Sequence, residues 1–439
     1  MSLGFYSWGE QELVVLILFS TIVDFSSALI IEKGKKNLGL FISIIFNLGI
    51  LLYFKYSDFV FSNLANLLTN LNLSEVNASK FSNIILPLGI SFYTFQTMSY
   101  TIDVYRGHVK ASKNFLNFAT YVTLFPQLIA GPIVRYKEIE SELKNRETTI
   151  PLFTEGVERF IIGLAKKMII ANNCAFLADE IFNIPNTEMS SPIAWLGIIA
   201  YSFQIYYDFS GYSDMAIGLG KMLGFNFPEN FNYPYISKSI REFWRRWHMT
   251  LSYWFRDYVY ISLGGNRHSN LRTYINLFIV FFVTGLWHGA SWTFIIWGLF
   301  HGVFIVIERL GFSKILDKLP KPISHLYLLF IITISWVFFR SDTITDAFSF
   351  IKSMFTFNIE TNIELVQFYL SKEIFVVLLL AILFSTPICN KLNQFITYRF
   401  KNYIKAFTYM KYLCLLSLFI ISCLYISIDS YNPFIYFRF

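Results

Sequence analysis

The chain has 439 residues, of which 55% are hydrophobic, 19% are aromatic and only 15% are charged. A soluble protein normally carries about a quarter charged residues, and here the apolar residues form long blocks, so a soluble globular fold is excluded. The net charge of +7 comes from basic residues in short loops between these blocks, as is typical of inner-membrane proteins, and we expect no nucleic-acid partner. The four cysteines show neither disulfide nor metal-ligand spacing, so no metal site is expected.

Eight apolar blocks of this sequence approach the length that spans a bilayer, about 17–25 residues. The first block contains Asp24 and runs directly into a basic loop, which indicates a membrane anchor rather than a cleavable signal peptide. In chain order the blocks are Leu13–Ile31, Leu38–Tyr53, Trp195–Phe209, Tyr274–Trp287, Trp292–Ile307, Leu326–Phe339, Ile374–Ile388 and Tyr412–Ile428.

The loops differ in lysine and arginine content, and the positive-inside rule places the basic loops in the cytoplasm. Basic loops are Glu32–Asn37, Arg106–Asn114, Arg135–Glu147, Lys238–Arg246, Gly264–Arg272, Glu308–Lys321 and Lys391–Lys411; poor loops are Ser57–Ser79, Ala178–Ser191 and most of Ser341–Tyr369. This sorting predicts an all-α, polytopic transmembrane helical bundle with about ten crossings and both termini outside. No linker divides the chain, so residues 1–439 are predicted to form a single domain.

Two segments break the simple alternation of apolar blocks and loops. Phe115–Val134 is apolar, but it has a basic loop on each side, and its prolines and glycine make a continuous span unfavourable. Trp244–Leu263 is likewise bracketed by basic loops. Irregular backbone at membrane depth is tolerated only when it is buried in protein or lines a watery cavity. Both segments are therefore predicted to be re-entrant or interfacial, with cavities that open from the cytoplasmic side.

His288 lies in the motif TGLWHGASW, near the middle of a long apolar stretch. Gly285 and Gly289 flank it at a spacing that lets helices pack closely. A hydrogen bond across a helix interface and a role in proton transfer are about equally favoured by the residues alone. A predicted helix break at Gly289–Ser291 favours the second role, because it leaves His288 at a helix end that a substrate can approach.

His301 follows thirteen residues later, which is roughly 20 Å along an unbroken helix. A straight helix would prevent His288 and His301 from serving one proton, and only the predicted break could bring them together. A structural role is therefore favoured for His301.

His248 belongs to the segment SIREFWRRWHMTLSYWFRDYVYISLGGNR. A helix here would align one apolar stripe and present Arg245, Arg246 and Arg256, which favours an interfacial helix on anionic lipid headgroups. The alternative is that the arginines bind the phosphates of a cytoplasmic acyl donor such as coenzyme A. The stripe would consist of Phe243, Trp247, Leu251, Trp254 and Tyr258.

The stretch YYDFSGYSD places Asp208, Ser210 and Asp214 at the end of an apolar block. These residues could orient a histidine, cap a helix or face water, and the sequence leaves all three roles open. Walker-type, Rossmann, H-E-x-x-H and G-x-S-x-G motifs are missing from the sequence, so histidine is the best candidate for proton transfer.

Several long motifs together resemble the membrane-bound O-acyltransferase family. Within that family, the LGGNR and GLWHGASW motifs of this chain are most similar to the alginate O-acetyltransferase membrane-subunit type, rather than to the type that D-alanylates teichoic acid. Relatives of this type usually carry a further apolar helix before the FYSW-like segment, so the resemblance suggests that this chain starts late. The motifs lie in Leu86–Gly107, Leu124–Tyr136, Tyr206–Tyr235, Glu242–Arg267 and Gly285–Gly302, and in the closing SYNPFIYFRF.

The resemblance implies a helical bundle around a central tunnel, with His288 of the WHG motif inside and His248 of the RRWH motif as the second family histidine. It also implies a bacterial inner membrane, acetyl coenzyme A as the acyl donor substrate, and no bound cofactor. The expected partners are membrane lipids, an extracytoplasmic SGNH-hydrolase-like acetyltransferase, and a polysaccharide or peptidoglycan acceptor. The residues assigned to binding of the acyl donor or to support are Arg245, Arg246, Trp287, Asp208, Asp214 and His301.

The expected reaction is acyl transfer with His288 as general base, which takes a proton from an acceptor hydroxyl as that hydroxyl attacks a thioester carbonyl. A positioned base of this kind typically contributes roughly 10²–10⁴-fold to the rate. His248 holds the acyl donor or assists the leaving thiolate in this hypothesis. A flippase or transporter of envelope precursors, and a scaffold that only recruits the partner protein, are the alternatives.

Overall fold

The computed structural model describes residues 2–72, 84–185, 188–356, 363–400, 403–428 and 434–435. All regular secondary structure in these ranges is helical, which confirms the all-α class. The helices up to residue 222 are α1 Ser2–Glu10, α2 Val14–Glu32, α3 Lys36–Leu51, α4 Ser57–Asn70, α5 Ile90–Tyr105, α6 Phe115–Thr123, α7 Phe125–Leu128, α8 Tyr136–Lys144, α9 Ile150–Ala165, α10 Asn172–Phe182 and α11 Ser191–Met222. The later helices are α12 Ile240–Trp244, α13 Met249–Trp254, α14 Asn270–His288, α15 Trp292–Ile307, α16 Ser313–Lys318, α17 Lys321–Arg340, α18 Ile344–Phe355, α19 Ile363–Tyr369, α20 Lys372–Phe384, α21 Ile388–Arg399 and α22 Ile404–Ile428.

Seven helical runs within the described residues are long and apolar enough to cross a membrane, or eight if the α20–α21 pair, bent by 65°, is one span. A multi-pass membrane protein is thereby confirmed, whereas the number of about ten crossings stays a prediction. The run Ile150–Phe182 was missed as an apolar block because Arg159, Lys166 and Lys167 interrupt it. The seven runs are Ser2–Glu32, Lys36–Asn70, Ile150–Phe182, Asn270–His288, Trp292–Lys318, Lys321–Arg340 and Ile404–Ile428.

The predicted loop Ser57–Ser79 is wrong in its first part, because α3 continues through a π-helical turn, Leu52–Tyr56, into α4. Val60, Leu64 and Leu67 recur at helical spacing, and this pattern favours a helix over a loop. The remainder of that predicted loop, from residue 73, lies outside the described residues, as does most of the closing motif SYNPFIYFRF.

Both segments that were predicted to be discontinuous are broken into short helices. The segment Phe115–Val134 contains α6 and the four-residue α7, separated at Leu124, whose backbone is extended. The segment Trp244–Leu263 is interrupted before His248 and then continues as α13 and a π-helical turn, Phe255–Tyr260. Neither segment is therefore a continuous span, as predicted.

A buried polar cluster holds α3 between α2 and α5. Asp24 on α2 accepts hydrogen bonds from Ser43 and from the Asn47 side-chain amide, the latter at 2.8 Å. It also accepts one from the Thr101 hydroxyl at 3.1 Å. Because these three helices are locked together by side-chain hydrogen bonds, the end of α3 is held in a defined place beside α5.

Candidate active site

The α14–α15 hairpin places His288 at the end of a helix. Gly289 has an extended backbone (φ −169°, ψ 153°), and α15 starts again at Trp292, so the predicted break is confirmed. The two helices pack with their backbones in contact, because a Cβ on Gly298 would overlap the Phe281 carbonyl oxygen and lie 3.0 Å from the Gly285 Cα. Small residues at this crossing therefore set where His288 sits.

His288 is 3% exposed and is surrounded by aromatic rings. Its ring centroid lies 4.9 Å from that of Trp297, 5.2 Å from Phe339 and 5.0 Å from Trp287. An imidazole in such surroundings is shielded from bulk water, which strengthens any electrostatic interaction that it makes with a substrate.

A cavity of about 80 Å³ opens beside this histidine. Its wall includes His288 and Trp287 from α14, Lys55 from the π-helical turn after α3, and Ser91 and Phe92 from α5. Lys55 is the one lysine among the lining residues and is 8% exposed. The cavity therefore combines a candidate base with a buried lysine amine. The sequence analysis missed Lys55 because it lies just after an apolar block.

His248 does not lie in a helix but directly precedes α13, so the single helical stripe considered for this segment does not form. Its backbone is left-handed (φ 41°, ψ 54°), which is uncommon outside glycine and persists only where the surroundings hold it. The expected apolar stripe is buried in protein instead of facing lipid: Phe243, Trp247, Leu251, Trp254 and Tyr258 are each less than 9% exposed. The tertiary fold offered more burial than an interfacial helix would have done.

Asn230 determines the orientation of His248 and was not singled out by the sequence reading. Its side-chain oxygen faces the Thr250 backbone N–H at 3.3 Å and the Thr250 hydroxyl at 2.9 Å, and a backbone N–H can only donate. The same oxygen lies 3.1 Å from His248 Nδ1, so Nδ1 carries a proton that it donates to Asn230. Burial lowers the pKa of His248 below its ordinary value. The imidazole is therefore neutral near pH 7, and Nε2 is its basic nitrogen.

We expect Asn230→Ala to lower acyl-transfer activity roughly five- to hundredfold, because a buried donor that loses its partner costs about 1–3 kcal/mol. The measurement is the initial rate in membranes that contain matched amounts of protein. Asn226→Ala, an exposed position in the same loop, is the control and should retain the wild-type rate. A normal rate for Asn230→Ala would show that the tautomer of His248 has no part in the reaction.

Trp287, a predicted site residue, contacts both histidines. Its ring centroid lies 6.0 Å from that of His248 and 5.0 Å from that of His288. Phe92 packs against both Trp287 and His248, at 5.3 Å and 6.5 Å. The break at Gly289 and the break before His248 thus bring two histidines that are distant in sequence into contact with one indole.

His301 is fully buried on α15 and lies outside the cavity wall. Its Nδ1 accepts a hydrogen bond from the Trp244 indole N–H at 3.3 Å, and its ring contacts Trp297 with centroids 5.0 Å apart. Trp297 also contacts His288. The favoured structural role fits this position, in which His301 ties α12 to the hairpin.

Asp208 and Asp214 have cationic partners on the neighbouring run Ile150–Phe182. Asp208 pairs with Lys167 at 2.5 Å and accepts the Ile435 backbone N–H at 2.7 Å, while Asp214 pairs with Lys166 and Arg159. These contacts match none of the three roles that the sequence left open, which were to orient a histidine, to cap a helix or to face water. The two carboxylates bind α11 to the preceding run, so we assign them to structure and not to the histidines.

The three candidate phosphate-binding arginines differ in their surroundings, and Arg256 pairs with Asp257 at 2.7 Å. Arg246 donates to Glu242 at 3.0 Å and to the Asn232 carbonyl at 3.1 Å, so its guanidinium is engaged within the protein. Arg245 is exposed and lines a cavity of about 440 Å³ between the basic loops Lys238–Arg246 and Glu308–Lys321. Lys238, Arg241 and Lys321 line the same cavity, together with Glu242, Glu308 and Asp317.

Together, these features define a polytopic helical membrane protein with a buried, aromatic-lined histidine site. The membrane-bound O-acyltransferase family profile matches residues 106–339. The chain is 44% identical over 358 residues to a probable alginate O-acetylase, AlgI, of Pseudomonas aeruginosa, which covers 80% of this chain and 68% of the relative. It is 38% identical over 462 residues to the corresponding Pseudomonas putida protein, covering 99% of this chain and 92% of the relative. It is also 38% identical over 392 residues to a peptidoglycan O-acetyltransferase of Helicobacter pylori, covering 81% and 73%.

The chain belongs to the membrane-bound O-acyltransferase family, and it is an O-acyltransferase. The predicted resemblance to the alginate O-acetyltransferase type is thereby confirmed.

Proposed function

We propose that this enzyme passes an acetyl group from cytoplasmic acetyl coenzyme A to a hydroxyl of an extracytoplasmic polysaccharide, or to a partner protein that acetylates the polysaccharide. The observation that carries the proposal is the position of His288, at a helix break on the wall of a buried cavity. The names of its relatives, alginate O-acetylase and peptidoglycan O-acetyltransferase, favour an envelope glycan as the acceptor.

The reaction needs a base that removes the proton of the acceptor hydroxyl, and it needs a proton for the thiolate that leaves. His288 takes the proton of the acceptor hydroxyl while the hydroxyl oxygen attacks the thioester carbonyl carbon. The tetrahedral intermediate then collapses, the carbon–sulfur bond breaks, and the proton goes to the departing thiolate. His248 contacts the same Trp287 ring as His288, and we assign it to holding the acyl donor or assisting the thiolate.

The size of the cavity favours a short acyl group. A single water needs about 10–15 Å³ of cavity volume. A space of about 80 Å³ therefore holds an acetyl group and a hydroxyl.

The cavity lined by Arg245, which has four basic and three acidic side chains in its wall, supports a phosphate-bearing acyl donor such as coenzyme A. Arginine binds phosphate through paired, charge-assisted hydrogen bonds. Arg241 and Arg245 both line this cavity, and Lys238 and Lys321 add positive charge. The cavity lies between two loops that the positive-inside rule places in the cytoplasm, where coenzyme A is found.

We expect Arg245→Glu to raise the KM for acetyl coenzyme A roughly tenfold or more while kcat changes little, because a hydrogen bond to a charged group is worth about 1.5–3 kcal/mol. The measurement is acetyl transfer at varied concentrations of the acyl donor. Arg272→Glu, an exposed arginine in the first turn of α14, makes the same charge change and should leave the KM unaltered. An equal effect of both substitutions would indicate only a general loss of positive charge.

The acceptor and the partner belong to the same proposal. Transfer to a polymer outside the cytoplasm requires a site that is reached from that side, and we infer an SGNH-hydrolase-like extracytoplasmic acetyltransferase as the partner that completes the transfer. We further place the enzyme in a bacterial inner membrane.

The test is mass spectrometry of envelope polysaccharide and peptidoglycan from cells with the wild-type chain, His288→Ala, His268→Ala or no chain. His268 is exposed in a loop and serves as the matched control. An ester-linked acetyl mass that requires either wild type or His268→Ala would support acyl transfer and name the acceptor. The same acetylation in all four samples would overturn the proposal and favour the transporter alternative.

A further inference from the structure

The last carbonyl groups of α14 are capped from a segment more than 200 residues away in the chain. The Tyr56 hydroxyl donates to the Leu286 carbonyl at 2.6 Å. The Lys55 ammonium donates to the Trp287 carbonyl at 2.5 Å and reaches the His288 carbonyl at 3.4 Å. Three successive carbonyls of the catalytic turn are thus bound by two adjacent side chains.

The break at Gly289 creates the need for these contacts. The last four carbonyls of an α-helix have no intrahelical partner, and a buried carbonyl without a partner is costly. The Gly289 N–H serves only the Gly285 carbonyl, at 3.3 Å. The next three carbonyls, at the turn that carries His288, are the ones that Lys55 and Tyr56 bind.

Lys55 is unusual as an ionisable side chain inside the bundle. It is 8% exposed, and its third contact is the Ser91 hydroxyl at 3.1 Å. All three contacts are with uncharged oxygen atoms, and a lysine ammonium group has three hydrogens to donate. A cation is favoured at the C-terminal end of a helix because the helix dipole is negative there. Ionisable residues within membrane segments are costly and usually functional.

The π-helical turn Leu52–Tyr56 accounts for the geometry of the contact. Such turns change the direction of the following side chains and are frequent at functional sites. Here Lys55 and Tyr56 close the turn, and both reach α14. The polar cluster around Asp24 fixes the position of α3 and, with it, the position of the π-helical turn that follows α3.

We propose that Lys55 and Tyr56 are positioning residues for His288, which hold the end of α14 so that the imidazole faces the cavity in the reactive orientation. The inference rests on the proposed role of His288 as general base. Loss of either side chain lets the final turn of α14 fray, and the His288 imidazole then moves away from its reactive position. A misplacement of about 1 Å can lower a rate roughly 10²-fold.

The experiment compares Lys55→Met, Lys55→Gln and Tyr56→Phe with wild type for kcat, for the KM of acetyl coenzyme A and for thermal unfolding in detergent. We expect kcat to fall about tenfold or more for Lys55→Met and about threefold or more for Tyr56→Phe, with an unchanged KM. Lys55→Gln keeps N–H donors without the charge and should retain more activity than Lys55→Met. Tyr207→Phe is the matched control, because it also removes a 2.6 Å bond from a buried tyrosine to a carbonyl, that of Ala381, away from α14.

The possible results separate the inference from the proposed function. Wild-type kcat in both Lys55→Met and Tyr56→Phe, or equal losses in Tyr56→Phe and Tyr207→Phe, would overturn the positioning role. A raised KM with a normal kcat would also overturn it, since that result assigns Lys55 to substrate binding. If Lys55→Met does not fold, Tyr56→Phe alone decides between these outcomes. Activity in His288→Ala would instead contradict the proposed function itself.

Discussion

Replacement of His288 by alanine is expected to lower kcat by about 10²–10⁴-fold, because the acceptor hydroxyl then loses the base that removes its proton. His288 is the histidine that lies both at the helix break and on the wall of the cavity. The measurement is transfer of labelled acetyl groups in membrane vesicles that contain equal amounts of wild-type or variant protein.

Two comparisons make the His288 result specific. His268→Ala removes an exposed imidazole from a loop and should leave kcat unchanged. His301→Gln removes a buried imidazole that lies outside the cavity wall, and we expect a much smaller loss than for His288→Ala. Equal losses for His288 and His301 would assign both to packing of the hairpin and would remove the basis for a general base at His288.

Substitution of Gly298 by alanine is expected to disturb both the fold and the site. The added Cβ overlaps the Phe281 carbonyl oxygen and lies 3.0 Å from the Gly285 Cα, so α14 and α15 must move apart. Overpacking of this kind typically costs about 1–3 kcal/mol. Because His288 is carried on α14, a shift of about 1 Å would also lower activity roughly 10²-fold. The measurements are thermal unfolding in detergent and kcat per folded molecule.

The control for Gly298 is Gly49→Ala, which makes the same change within a helix. A Cβ on Gly49 has no neighbouring atom within 4 Å, and alanine favours helix more than glycine does. We expect Gly49→Ala to be neutral or slightly stabilising. Normal stability and activity for Gly298→Ala would show that the hairpin tolerates a wider separation and that its glycines do not position His288.

The membrane class and the position of His288 were evident from local sequence patterns. Long apolar blocks predict segments that enter the membrane. Such segments are helical because every backbone N–H and C=O in lipid must be hydrogen-bonded within the protein. The break after His288 was also predictable, since Gly289 and Ser291 disfavour a continuous helix at that point and favour an end and a new start. These features depend on neighbours in the chain, and a reading along the chain detects them.

The surroundings of the two histidines depended on contacts that no local pattern encodes. Asn230 orients His248 across 18 positions, and Lys55 reaches the Trp287 carbonyl across 232. The amphipathic stripe around His248 predicted a surface helix, and Asp208 was a candidate support for a histidine. In the structure the stripe is buried within the protein, and Asp208 forms an ion pair with Lys167.

The sequence by itself therefore determined that the chain is a multi-pass membrane protein and which histidine lies at a helix end, although it missed the apolar run Ile150–Phe182. Only the tertiary structure decided which polar groups meet around that histidine. The physical reason is that hydrophobic burial acts on each segment according to its own composition, whereas a buried hydrogen bond needs two partners at about 3 Å, and their meeting depends on how all the helices pack.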